Sequence, residues 1–78
     1  MYAPLPLGWH FVRHGKENRR EHYGPEILER SLGLAIDDLR PRDAARLGES
    51  LAQYFGAGVD VYYNGDLLVR SVRPLRPV

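Results

Sequence analysis

The sequence contains no cysteine, a single tryptophan and no apolar run that approaches the roughly 18 residues of a membrane span. Without cysteine there can be no disulfide, no thiolate metal site and no cysteine nucleophile. The first residues, "MYAPLPLGWHFV", have no basic segment before the apolar ones and contain two prolines. They therefore do not resemble a secretory signal. We expect a cytoplasmic protein with no membrane partner.

The chain is short, at 78 residues, which predicts a single small domain over 1–78 with irregular tails at 1–6 and 74–78. A chain of this size buries only about 60% of the surface that its unfolded form exposes. Small domains without cross-links often gain stability by self-association or by docking on a partner. We therefore expect a homo-oligomer or a protein partner. No motif indicates a cofactor.

Charge is nearly balanced, with a formal net charge of +1, so the composition by itself indicates no polyanionic partner. Its distribution is uneven. Residues 31–69 carry three arginines and six acidic residues, whereas the last stretch, "RSVRPLRPV", carries three arginines and no acid. Ten of the eleven basic residues are arginine, as in proteins that recognise phosphate or carboxylate with planar guanidinium groups. A GC-rich coding sequence produces the same bias, and we favour that cause.

The stretch "LGWHFVRHG" (7–15) is aromatic and β-branched and lies between proline and glycine residues, which predicts a strand. Side chains alternate between the faces of a strand. One face would carry His10, Val12 and His14, and the other would carry Trp9, Phe11 and Arg13. The following "KENRREHYG" is polar and charged, and predicts a solvated loop or an irregular turn.

Two helices are expected next. Pro25 and the helical spacing of apolar residues predict one over 25–33, with a strand through "LGLAI" as the open alternative. The second, over 41–55, has an apolar stripe, Asp37-Asp38 as candidate caps, and glycines at its end. Gly48 in its middle costs about 1 kcal/mol relative to alanine, so we expect a close backbone contact there.

The stretch "VDVYYNGDLLVR" predicts a β-hairpin, since Asn64-Gly65 between two β-prone runs suits a two-residue type I′ turn. Pairing across this turn would place Tyr62 opposite Leu67 and Val61 opposite Leu68. The predicted fold class is α+β in the order β-α-α-β-β. The N-terminal strand would lie beside the hairpin in a small antiparallel sheet packed on the 41–55 helix.

The order of three motifs resembles that of the histidine phosphatases, the phosphoglycerate-mutase-like enzymes. These motifs are Arg13-His14-Gly15 after an apolar strand, then "LRPRDAARLGESL", then "VDVYYNGDLLVRS". The resemblance implies that His14 accepts a phosphoryl group, that Arg13 binds the phosphate and that Arg70 is a second phosphate ligand. The family takes a second histidine and an acid donor from later in a longer chain, and no histidine follows His22. The resemblance therefore predicts a degenerate or truncated relative, and no catalytic residue is assigned beyond His14 with Arg13.

The three histidines are also the natural candidates for metal ligands. His10 and His14 would be one turn apart on a helix, but four residues of strand separate them by ~13 Å, too far to chelate one ion. His22 belongs to the predicted loop, and no acidic or thiol cluster completes a tetrahedral set. The sequence predicts no metal site.

The function that the sequence favours is non-enzymatic binding, through protein–protein contact or self-assembly. A small regulator or inhibitor from a bacterium, phage or mobile element would suit the chain. Tyrosine, tryptophan and arginine are the usual anchors of interfaces. We expect the contact surface on the sheet face and hairpin tip, with the anchors Trp9, Arg13, Tyr62, Tyr63 and Arg70.

The alternative is nucleic-acid binding through a basic 13–20 loop and the arginine-rich tail, with aromatic rings for stacking. The phosphate-contacting residues would be Arg13, Lys16, Arg19, Arg20, Arg70, Arg73 and Arg76. Against this alternative, a net charge of +1 makes the counterion-release contribution small.

Overall fold

Two helices and four strands form the part of the chain that this computed structural model describes, residues 7–75 without the side chain of Ser71. The strands are β1 (Trp9–His14), β2 (Arg20–Tyr23), β3 (Val59–Tyr63) and β4 (Asp66–Val72), and the helices are α1 (Glu26–Leu32) and α2 (Ala44–Phe55). Short 3-10 turns cover Lys16–Asn18, Ile36–Asp38 and Pro41–Asp43. The predicted α+β class is confirmed. The tail predicted at 1–6, and residues 76–78 of the second tail, lie outside the described residues.

The strands form one antiparallel sheet in the order β2-β1-β3-β4. The predicted place of the N-terminal strand beside the hairpin is confirmed. The prediction of a solvated loop for "KENRREHYG" was wrong over Arg20–Tyr23, which pairs with β1 and places His22 beside Val12. Three polar residues followed by one tyrosine show no hydrophobic alternation, so only the pairing with β1 defines this strand. The element order is therefore β-β-α-α-β-β.

Both helices pack on one face of the sheet. The core contains the buried residues Trp9, Phe11, Ile27, Leu28, Leu39, Ala44, Leu47, Leu51, Ala52, Val59 and Val61. A Cβ at Gly48 would lie 2.9 Å from Cγ2 of Val72 and 3.1 Å from Cγ2 of Val61. The expected close backbone contact at this glycine is thus confirmed, and it lets α2 approach the sheet.

The helix predicted over 25–33 is confirmed as α1, and the alternative strand through "LGLAI" is not formed. Gly33 ends α1 in the left-handed region, with its N–H donating to the carbonyl oxygen of Glu29 at 3.1 Å. The predicted caps Asp37 and Asp38 do not cap a helix; they lie within a 3-10 turn that has no side-chain cap. Asp43 fulfils a related role instead, because its Oδ2 accepts a hydrogen bond from the N–H of Arg40 at 2.8 Å.

The hairpin turns at Asn64-Gly65, whose φ values of 50° and 83° are both positive, as a type I′ turn requires. The predicted pairing of Tyr62 with Leu67 is confirmed. The pairing of Val61 with Leu68 was wrong, because a register shift inserts an extra residue in β4 and sets Val61 opposite Val69. A second shift lies between Val59 and Val61.

Candidate functional site

The sheet face opposite the helices carries all three histidines of the chain. Alternation along β1 places His10, Val12 and His14 on this face, as predicted, because Trp9 and Phe11 lie in the core. Pairing with β2 and β3 adds further side chains. We call this side of the sheet the open face because neither α1 nor α2 packs on it; it comprises His10, Val12, His14, His22, Asp60 and Tyr62, of which His10 and Val12 are buried.

His10 and His22 form a cross-strand pair on the open face. Nε2 of His10 lies 2.8 Å from Nδ1 of His22, so one ring donates a hydrogen bond and the other accepts it. The His10 side chain is buried, and burial lowers its pKa; the nearby His22 lowers it further, while Glu26 raises it in part. His10 is therefore held neutral near pH 7. The sequence could not indicate this pair, because His22 was assigned to a loop.

His14 lies at the other end of the open face. Its Nε2 is 3.0 Å from Oδ1 of Asp60, an ion pair when the ring is protonated, although the angle is not that of a hydrogen bond. The ring covers Gly58, where a Cβ would lie 3.3 Å from Nδ1. Nε2 is enclosed by protein. Asp60 and Gly58 therefore hold the His14 ring in place.

Arg13 points to the helix side of the sheet, away from His14. Its Nη1 donates to Oε1 of Glu21 at 2.7 Å, and its guanidinium carbon lies 5.4 Å from the ring centre of Phe55. Arg70 is on β4, separated from β1 by the whole of β3. The resemblance to histidine phosphatases implied that Arg13 and Arg70 lie beside the His14 ring. The structure instead places Arg13 on the other face of the sheet and Arg70 two strands away.

The predicted interface anchors do not share one surface. Trp9 is 2% exposed and packs in the core, with its ring centre 4.8 Å from that of Tyr63. Tyr63 is half-buried against it, on the helix side, while Tyr62 is half-buried on the open face beside His10. Arg70 is exposed on β4. Trp9 is thus a core residue in this fold.

Most of the basic residues predicted to bind nucleic acid gather at one end of the sheet. In this antiparallel order, β1 and β4 end where β2 and β3 begin. We call this region the basic end; its exposed members are Lys16, Arg19, Arg20, Arg70 and Arg73. Arg76 lies outside the described residues. The predicted 13–20 loop is in fact the end of β1, a 3-10 turn and the start of β2.

A cavity of about 330 Å³ opens at the basic end. Its lining residues are Arg13, Gly15, Lys16, Arg19 and Glu21. The cavity carries three cationic side chains and one carboxylate. No group of three histidine, aspartate or glutamate side chains within residues 7–75 could hold a metal ion.

Neither α1 nor α2, the helices of the described region, is long and apolar enough to cross a membrane. Comparisons with protein-family models, with curated proteins and with solved structures each gave no match.

Proposed function

We propose that the protein is a small non-enzymatic binding module that self-associates through the outer edge of β4. At seven residues, β4 is the longest of the described strands. It pairs with β3 on one side, and no strand within residues 7–75 pairs with its other side. An edge strand offers unpaired N–H and C=O groups to another chain. This edge is the observation that carries the proposal.

Charge along β4 supports pairing with a second copy of the same strand. Asp66 begins the strand, the exposed Arg70 lies in its second half, and the exposed Arg73 directly follows it. Two copies related by a twofold axis pair antiparallel, so the acidic start of each strand meets the basic end of the other. The edge is therefore complementary to itself.

Apolar exposure at the same edge supports the contact further. Leu68, within β4, is 40% exposed. Burying a leucine side chain stabilises an assembly by about 1.5–3 kcal/mol. A second copy paired along β4 would cover Leu68.

The two register shifts between β3 and β4 give the outer strand a bend. Such irregularities discourage the indefinite addition of flat strands. A second copy related by the twofold axis carries the same bend and can follow it. We therefore expect a closed dimer rather than a fibre.

The test is the molar mass in solution, measured by light scattering after size exclusion, from micromolar to millimolar concentration. We expect a dimer for the wild type and a monomer for Leu68→Lys, with the same circular dichroism spectrum. Leu7→Lys is the matched control, because Leu7 is 84% exposed and lies outside β4. A wild-type monomer throughout, or a dimer that survives Leu68→Lys, contradicts the proposal.

A second candidate, nucleic-acid binding, is favoured by one observation: the topology brings the residues of the basic end together. Phosphate contacts by several arginines make affinity fall steeply with salt. Fluorescence anisotropy with single-stranded and duplex oligonucleotides tests this candidate. We expect Arg70→Ala with Arg73→Ala to weaken binding and to reduce its salt dependence. Equal affinity in the variant and the wild type contradicts it.

A regulator or inhibitor of bacterial, phage or mobile-element origin is the biological role that we propose for such a module, with the cytoplasm as its compartment. A dimer whose members each present an open face and a basic end can hold two partners at a fixed separation. Two linked sites of this kind bind a paired partner more tightly than either site alone.

A further inference from the structure

The cavity at the basic end is bounded by a turn with unusual backbone dihedral angles. Glu17 and Asn18, within the 3-10 turn, both have positive φ, at 58° and 62°. Two consecutive non-glycine residues in this region are costly, and such strain collects at ligand-binding sites. The N–H of Gly15 donates to the carbonyl oxygen of Arg19 at 2.8 Å, and the N–H of Arg19 to that of Lys16 at 3.1 Å. The turn thereby holds Lys16 and Arg19 at the cavity.

Glycine at position 15 allows the turn to close this tightly. A Cβ there would lie 3.2 Å from Oε1 of Glu21 and 3.4 Å from the carbonyl oxygen of Arg19. A larger residue would therefore displace Glu21, the acceptor of the Arg13 hydrogen bond. Gly15 keeps Arg13, Glu21 and the turn in contact.

The cavity has more positive charge than its own carboxylate can balance. Glu21 pairs with Arg13 through Nη1, while Lys16 and Arg19 are exposed at the cavity wall. The Arg13 side chain is 31% exposed while its Nε is buried, so a ligand in the cavity would bind Arg13 through its terminal guanidinium nitrogens.

We propose that this cavity is a binding site for a phosphate group. Guanidinium and ammonium donors form strong charge-assisted hydrogen bonds with phosphate oxygens, and three such side chains converge here. Lys16 and Arg19 bind the phosphate group from the turn. Arg13 binds it from β1, where the phosphate replaces part of the contact between Arg13 and Glu21. This site does not depend on the β4 contact.

The phosphate group can belong to a small molecule or to the backbone of a nucleic acid. The cavity exceeds a single phosphate in volume, so a phosphate that carries a further substituent fits as well as the free ion. A continuing nucleic-acid backbone would extend from the cavity past the exposed Lys16 and Arg19. The recognised chemistry is the same in both cases.

The test is a titration of the isotopically labelled protein, followed by amide chemical shifts at constant ionic strength. Separate samples receive inorganic phosphate, pyrophosphate and a short single-stranded oligonucleotide. We expect saturable shifts at Gly15, Arg19 and Glu21. The double variant Lys16→Ala with Arg19→Ala should lose affinity by about tenfold or more, because it removes two charge-assisted contacts.

A second variant, Glu21→Gln, is expected to change phosphate affinity in the opposite direction. Glu21→Gln removes the carboxylate that competes for Arg13, so phosphate affinity should rise. Glu29→Gln makes the same charge change on α1, away from the cavity, and should leave affinity unchanged. Arg30→Ala with Arg42→Ala is the matched control for the double variant, since both side chains are exposed and neither lines the cavity.

Preferential binding of the oligonucleotide, lost in the double variant, assigns the site to a nucleic-acid backbone. Preferential binding of phosphate or pyrophosphate, lost in the same variant, assigns it to a small phosphorylated ligand. Non-saturable shifts with all three probes overturn the proposal, as do shifts that Lys16→Ala with Arg19→Ala leaves unchanged.

Discussion

His10 and His22 are joined across β1 and β2 by a nitrogen–nitrogen contact of 2.8 Å, which can hold one shared proton but not a second charge without repulsion. Burial and His22 lower the pKa of His10, while Glu26 opposes this in part; Tyr62 also packs beside the ring. His10 therefore binds a proton less readily in the folded protein than in the unfolded chain, where histidine has its ordinary pKa of about 6.5.

This relationship predicts that the free energy of unfolding decreases in acid. Between pH 6.5 and the lowered pKa, the unfolded state binds more protons than the folded state, so stability is full above this window and is lost as the pH falls through it. Urea unfolding from about pH 8 to about pH 5 measures the effect. His10→Gln should flatten the curve in this window, and a curve identical to that of the wild type would exclude His10 as its cause.

Gly48→Ala should destabilise the protein although alanine is the better helix former. The new methyl would meet Val72 and Val61 at 2.9 and 3.1 Å, and overpacking of this kind costs about 1–3 kcal/mol, more than the gain of about 1 kcal/mol in helix propensity. Chemical denaturation gives the difference. Glu49→Ala, one residue away and exposed, should change stability by less than about 0.5 kcal/mol. A stabilised Gly48→Ala variant would show that α2 can shift without cost.

The contrast between Gly48 and β2 shows what the sequence could predict. A glycine inside a strong amphipathic helix violates a local preference, and this violation pointed to the close packing on Val72. The strand at Arg20–Tyr23 has no such local signal, because its three polar residues and one tyrosine become a strand only by pairing with β1. Without β2, His22 could not be placed beside His10, and the open face could be predicted only in part.

The hairpin likewise shows that the sequence predicted local features and not those that depend on pairing farther from the turn. Asn64-Gly65 correctly predicted the turn and the first pair beyond it, since turn geometry acts locally. The register shift that sets Val61 opposite Val69 lies beyond the first pair, and the two-residue turn does not specify it. The position of Leu68 at the proposed interface followed only from the structure.

Gly65→Ala should lower stability through backbone conformation alone. Gly65 has a φ of 83°, and a Cβ there would meet nothing within 4 Å, so no packing change accompanies the strain. We expect a loss of about 1 kcal/mol in the free energy of unfolding, measured by urea titration. Gly65→Asn should lose less, because asparagine tolerates positive φ better than alanine. Equal losses for the two variants would refute a conformational cause.

Charge reversal tests the orientation of the proposed β4 pair. Asp66→Arg would place arginine beside the basic end of the second copy, and like charges on neighbouring strands are destabilising. We expect the dimer dissociation constant to rise about tenfold or more, measured by sedimentation equilibrium at low salt. Asp66→Arg combined with Arg70→Asp and Arg73→Asp restores opposite charges, so affinity should return toward the wild-type value. Failure of this rescue in a folded triple variant excludes the antiparallel pairing, because only that arrangement sets the start of one strand against the end of the other.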